Sequence, residues 1–294
     1  MIRRVFILFI LMVSVFEGNC QTINMSFPKF AGKEYEFVIF QGNEYKKILQ
    51  STIPGDGKFS IIIPKEYKGY EGMSRWLLRT EEGGGLDLYI PGYDFDISCE
   101  SDKPNESNVH FTNNTDNAKL NKLYREQEKI LNKYQSMLMA IKSYSEEEKK
   151  YKFFEAEMIT QKAVYEDFQE KLMKDGDYIC SFLQIVNITN GLGTKLYEEE
   201  KMKALNISNF IVKEMKWDRL YNSGHWMAVI EGWVNIHTKV LKNKKIFASS
   251  YGLICLKLNR LEMYRDFTER VEYFLKQQNE TKYLESVSKL NIKK

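Results

Sequence analysis

The chain has 294 residues, 43% of them apolar and 28% charged, a balance that excludes a disordered polymer and supplies enough apolar material for two cores. Its 43 basic and 40 acidic residues leave a net charge of +3 with Lys interleaved among Glu, so no basic field marks a nucleic-acid partner. The 18 Tyr, 18 Phe and 4 Trp fall mostly on faces that periodicity assigns to packing.

At the N-terminus Arg3 and Arg4 precede an apolar run over 5–16, and Gly18 and Cys20 place small residues at −3 and −1 of a cleavage site. Residues 1–20 are therefore expected to be a secretory signal, with the mature protein in the periplasm or cell envelope. The run is too short for a permanent transmembrane helix, which takes about 20 residues, and no second apolar stretch follows it. A lipid anchor on Cys20 is the competing reading, which Glu17, Gly18 and Asn19 fit poorly. After cleavage Cys99, Cys180 and Cys255 remain, separated by 81 and 75 residues, with no C-x-x-C. An oxidising compartment permits one disulfide among them. Cys180 and Cys255, however, sit in apolar runs, where Cys is usually a small buried hydrophobe.

Over 22–112 the pattern is that of short β segments punctuated by Gly and Pro: 35–40 (YEFVIF), 58–63 (KFSIII), 76–80, 86–90 and 95–99. Pro54, Gly55, Asp56 and Gly57 make a turn because Pro presets φ while Gly and Asp accept positive φ. Pro64 and Pro91 end the strands they follow, and Gly83, Gly84 and Gly85 mark a bend. About four to six strands in this span predict a small antiparallel β-sandwich.

The period changes near residue 112, and no Pro occurs after Pro104. Leu120, Leu123, Ile130, Tyr134, Met137, Leu138 and Ile141 form one apolar face of a helix starting near Thr115 or Asp116. Ser145 to Glu148 matches a capping box and predicts a second helix, with Tyr151, Phe154, Met158, Tyr165, Phe168 and Leu172 on its apolar face and its end at Asp175 and Gly176. Further helices are expected over 178–189, 198–216, 225–242, 247–258 and 261–277. The fold class is thus α+β, a β-sandwich domain over 22–112 followed by an all-α domain over 113–294, with no solenoid period.

Candidate motifs weigh toward structure. Gly191-Leu192-Gly193-Thr194-Lys195 lacks the G-x-x-x-x-G-K-[ST] spacing and follows a helical run, so a helix-to-helix turn is the expected reading. Gly83 to Asp87 reads as a strand bend. His225 and His237, twelve residues apart, would sit about 18 Å apart on a straight helix and so would not share a metal. His110 is the third histidine. The segment from Ser223 to Trp233 is distinctive for His225, Trp226 and Trp233, and a cap at Ser223 with aromatic packing is its expected role. No Ser-His-Asp or Cys-His set stands out, so no catalytic, cofactor-binding or metal-ligating residue is nominated and no cofactor is expected. Six N-x-[ST] sites occur, at Asn24, Asn105, Asn113, Asn187, Asn206 and Asn279. Asn187 lies in an apolar run, a poor place for a glycan.

One resemblance bears on function. The residues Gly32-Lys33-Glu34-Tyr35, Asp56-Gly57-Lys58-Phe59, the stretch from Ile63 and Pro64 to Gly72 and Met73, and Gly83 to Asp87 resemble the β-rich N-terminal domain of secreted bacterial thioredoxin-like proteins, the alkyl hydroperoxide reductase or thiol-disulfide oxidoreductase type. Ile90 to Phe95 and Tyr221 to Trp233 are similar to the same architecture. In that family the redox centre is a C-x-x-C in a C-terminal thioredoxin domain. The sequence through Lys294 has no such motif, so none of the family's catalytic residues carries over. The resemblance implies an exported noncatalytic envelope protein, a truncated relative or stand-alone accessory module of a thioredoxin-like system. Its partner would be a separate thioredoxin-fold oxidoreductase or another envelope protein. The alternatives are a redox enzyme acting through one reactive cysteine and a lipid-anchored surface binding protein.

Overall fold

A computed structural model describes residues 21–288 apart from residue 82. The expected signal and Cys20 lie outside the described residues. The protein is α+β, with eight strands followed by a helical region. One sheet has the order β4 (Lys58–Ile62), β1 (Thr22–Ser26), β7 (Phe95–Ser98), β8 (His110–Thr112). The other runs β3 (Glu44–Thr52), β2 (Glu34–Gln41), β5 (Gly72–Leu78), β6 (Gly85–Ile90). The expectation of purely antiparallel pairing needs correction, because β1 and β7 pair in parallel while the other pairs are antiparallel. The long chain between β1 and β7, which builds the whole of the second sheet, is what allows a parallel neighbour.

The two sheets share one apolar cluster. Ile23 and Met25 of β1, Ile61 of β4 and Phe95 and Ile97 of β7 meet Phe37 and Ile39 of β2, Trp76 of β5 and Leu88 of β6. Trp76 lies 4.7 Å from the Phe27 ring between centroids. The turn at Pro54 forms as expected, with the Gly57 N–H donating to Pro54 O at 2.9 Å. It carries the chain from one sheet to the other rather than closing a hairpin. Strands β1, β3 and β8 are additional to the segments expected from sequence: β3 is an exposed, charged edge strand whose apolar alternation is weak, and β8 is three residues long.

Strand β2 explains its own composition. Phe37 and Ile39 face the shared cluster, whereas Val38 and Phe40 join Met73 and Tyr89 against Leu120, Tyr178, Ile179 and Phe182 of the helices. A strand covered on both faces is a continuous apolar run, which is what YEFVIF is.

Helices α1 (Thr115–Ile141) and α2 (Lys149–Asp175) form a hairpin, and α3 (Tyr178–Thr189) packs on both. The capping box forms only in part. The Ser145 N–H donates to Glu148 Oε1 at 2.9 Å, and α2 begins after Glu148 instead of at Ser145. Helix α3 starts at its expected residue because Asp177 Oδ1 accepts the Cys180 N–H at 2.8 Å. The remaining helices are α4 (Glu200–Lys213), α5 (Trp217–Tyr221), α6 (Trp226–Asn235), α7 (Lys244–Lys257), α8 (Leu261–Gln277) and α9 (Thr281–Ser288). The helix expected over 198–216 is α4 alone, whereas the single helix expected over 225–242 is two elements, because α6 passes into a π turn over Ile236–Leu241 that ends at Lys242 with φ 50°. Trp217, Trp226, Trp233, Phe247 and Phe267 centre the largest apolar cluster. Among the described residues no helix is long and apolar enough to cross a membrane.

Sheet and helices are joined by buried backbone groups. Asn222 O accepts the Met73 N–H at 2.9 Å and the Tyr178 hydroxyl at 3.0 Å. The Tyr70 hydroxyl donates to Met73 O at 2.6 Å, and the Asn222 side-chain amide donates to Glu71 O at 3.1 Å. At the strand edge of β6, Asn117 replaces a missing strand: its Oδ1 accepts the Tyr89 N–H at 3.0 Å and its Nδ2 donates to Tyr89 O at 3.2 Å. The Gly42 N–H donates to Tyr221 O at 2.7 Å, and a Cβ on Gly42, where φ is 60°, would stand 2.2 Å from Asp266 Oδ2. Burial holds the Tyr178 phenol far above its ordinary pKa, so it stays a neutral donor. Replacing Tyr178 by Phe keeps the ring stacked on Tyr89 but deletes the hydroxyl that bonds Asn222 O. Urea unfolding is expected to show a loss of about 1–3 kcal/mol; a change below about 0.5 kcal/mol would contradict the role given to this hydroxyl.

Candidate binding cleft

The connection from α3 to α4 is the glycine-containing segment 191–195, and it is the helix-to-helix turn that its spacing implied. Three of its amides donate within the protein. The Gly191 N–H donates to Ile188 O at 3.0 Å and the Leu192 N–H to Asn187 O at 2.8 Å. The Lys195 N–H donates to Asn206 Oδ1 at 3.3 Å. With these donors engaged inside the protein, they are not free to wrap a phosphate as a P-loop does. Tyr165 donates its hydroxyl to Gly193 O at 3.0 Å, and Asn206 Nδ2 donates to Thr194 Oγ1 at 3.0 Å. A Cβ at Gly193 would meet Asn206 Oδ1 at 1.9 Å, so a larger residue there must displace the Asn206 side chain that bonds Thr194 and Lys195.

This fixed turn forms one wall of a cleft of about 290 Å³, whose opposite wall is the second half of α1. Tyr134, Gln135 and Leu138 come from α1, Lys142 from just beyond it, Leu192, Gly193 and Lys195 from the turn, Leu196, Tyr197 and Glu198 from the chain after it, and Lys203 from α4. Leu196 and Tyr134 belong to the cluster that packs α1, α2 and α3 together, so the cleft floor is continuous with the core. Tyr134 is 4% exposed and lines the cleft. Burial pushes its pKa up, leaving a neutral donor.

Two of the nearby lysines are engaged. Lys195 Nζ lies 2.7 Å from Glu166, whose hydrogen bond raises the lysine pKa, and Lys162 Nζ lies 2.7 Å from Glu198. Lys142 and Lys203 form no ion pair among the described residues, and Lys203 Nζ lies 3.7 Å from where a Gly191 Cβ would be. The cleft thus offers ammonium groups and a phenol above an apolar floor.

The other sequence candidates fall elsewhere. Cys99, Cys180 and Cys255 are all free thiols, the first two buried. Burial, with Asp177 alongside, pushes the Cys180 thiol up to about 12, so it is protonated and unreactive at neutral pH. Asp175, Asp177 and Cys180 place their ligating atoms within 4.8 Å of one another. Lys119 already bonds both carboxylates, and Arg219 donates to Asp177 O at 2.7 Å and Ser181 Oγ at 2.6 Å. Burial opposes ionisation of Asp177, yet the Cys180 N–H and Lys119 outweigh it and hold its pKa below the ordinary value. This group is a strut between α1, α3 and α5. His110 lies on β8, His225 packs 5.6 Å from the Phe182 ring, and His237 is fully buried in the π turn. In the segment from Ser223 to Trp233, both tryptophans are core and Ser223 Oγ accepts the His225 N–H at 3.0 Å, a turn contact ahead of α6. Asn187 exchanges two 2.7 Å hydrogen bonds with Gln127 inside the three-helix packing, which leaves no room for a glycan.

Sequence reading missed the cleft because Tyr134 and Leu138 sit on the apolar face of α1 and read as core, while Lys142 and Lys203 read as solvated surface. The one usable signal was the glycine turn with its lysine. A scan of family models and a search of curated proteins found no match to the chain.

His237 supplies a pH test of this placement. Its Nε2 lies 2.9 Å from Ser208 Oγ, its Nδ1 has no partner, and burial lowers its pKa from 6.5 to about 4. The unfolded chain therefore binds the proton first as pH falls. The stability from a neutral His237 is complete above pH 6.5 and is lost by pH 4, a change of about 3 kcal/mol. Urea unfolding of the parent and His237→Gln across this range should show a steeper acid loss in the parent; parallel slopes would refute it.

Proposed function

We propose that this chain is an exported, noncatalytic binding module of the cell envelope, an accessory to a thioredoxin-like thiol-disulfide oxidoreductase system. In this reading the two sheets are a β-sandwich domain and residues 113–294 a helical domain. The partner is a separate thioredoxin-fold oxidoreductase or another envelope protein. The observation that carries the binding function is the cleft beside the 191–195 turn, a concavity that sets lysine ammonium groups and tyrosine phenols beside leucines, with its one lining acid, Glu198, paired to Lys162. Such groups hold and orient a ligand. The accessory role and the envelope location rest on the sequence resemblance and on the signal-like segment.

The rival reading, a redox enzyme working through one cysteine, demands an accessible thiol of low pKa. Cys180, with its thiol pushed up to about 12, is the opposite. Alkylation of the native protein by iodoacetamide, followed by mass spectrometry, should leave Cys99 and Cys180 unmodified while a urea-unfolded control reacts fully. Rapid, selective labelling of one cysteine in the folded protein would overturn the noncatalytic reading in favour of the redox one.

A further inference from the structure

We infer that the cleft between α1 and the 191–195 turn binds a carboxylate carried on an apolar group about the size of one amino-acid residue. The inference deepens the binding reading given above and rests on it. Volume sets the size of the part that is held: about 290 Å³ is at the lower end of small-ligand sites. The floor selects an apolar body, since Leu138, Leu192 and Leu196 line it.

Charge selects the head group. The acid in the lining, Glu198, is already engaged by Lys162, and Lys195 is engaged by Glu166. Lys142 and Lys203 also line the cleft and form no ion pair among the described residues. Tyr134 lines the same cleft, and burial keeps its phenol neutral, so its hydroxyl can donate. An ammonium and a phenol both donate to a carboxylate, and charge-assisted hydrogen bonds of this kind are about twice as strong as neutral ones. Phosphate chemistry fits less well because the amides of Gly191, Leu192 and Lys195 are turned into the protein. The carboxylate could belong to a free organic acid or to the C-terminal residue of a polypeptide, and both present the same head and body.

The test is NMR titration of the full-length protein with three probes: 3-phenylpropionate, acetyl-Gly-Gly-Phe as the free acid, and the same peptide as its C-terminal amide. Saturable shifts of the Leu192, Gly193 and Tyr197 amides are expected with the acids. The amide should bind at least about tenfold more weakly, a difference of about 1.4 kcal/mol. Lys142→Met combined with Lys203→Met should reduce the acids to the level of the amide, as should raised salt. A tighter peptide acid identifies a polypeptide C-terminus as the source, and equal affinity of the two acids a free organic acid. Equal binding of acid and amide would overturn the carboxylate while leaving a binding cleft. Failure of every probe to produce a saturable shift, with the spectrum of a folded protein, would overturn the site itself.

Discussion

Helix α3 is the constraint on which the rest of the structure depends. Its first residue, Tyr178, donates to Asn222 O, accepts from the Met73 N–H at 3.1 Å, and stacks on Tyr89 at 4.6 Å. Near its far end, Asn187 pairs with Gln127, which in turn accepts from Gln169 at 3.2 Å, so one buried amide network fixes the register of α1, α2 and α3. The chain leaves α3 directly into the 191–195 turn. A single helix thus relates the sheet to the wall of the cleft.

This arrangement accounts for polar groups that an apolar core would otherwise exclude. Buried amides and phenols are tolerated where each finds a partner, and removing one partner leaves the other desolvated. Gln127, Gln169 and Asn187 satisfy one another, while Asn117 satisfies the backbone of Tyr89 at an edge strand. The Lys119 and Arg219 contacts around Asp177 hold the start of α3 from outside. Charges at that strut are internally balanced, whereas those at the cleft are not, and the contrast separates a structural cluster from a binding one.

Much of the fold was legible in the residues. Helices α3 and α8 run over the expected spans 178–189 and 261–277, and the structure shows local reasons for this in the Asp177 cap and in the spacing of Met263, Phe267, Val271 and Phe274. The strands at 35–40, 58–63, 86–90 and 95–99 were readable from β-branched and aromatic runs closed by Pro or Gly. What escaped detection depends on distant partners. The parallel pairing of β1 with β7 is set across 72 residues of chain between Ile23 and Phe95. Strand β3 lacks alternation, and the π turn over Ile236–Leu241 has no propensity signature. The cleft was illegible for the same reason: whether Lys203 is solvated or faces Tyr134 depends on how α4 docks, and no local pattern encodes that.

The central claim is that α3 opens only when the whole protein unfolds, because sheet, hairpin and turn all hold it. Native-state hydrogen exchange of the α3 amides under increasing urea tests this most directly. The account predicts that the amides of Leu183, Ile185 and Asn187 exchange with the same free energy and urea dependence as those of β2 and α6. Exchange of these amides through a smaller local opening, while β2 and α6 stay protected, would contradict it.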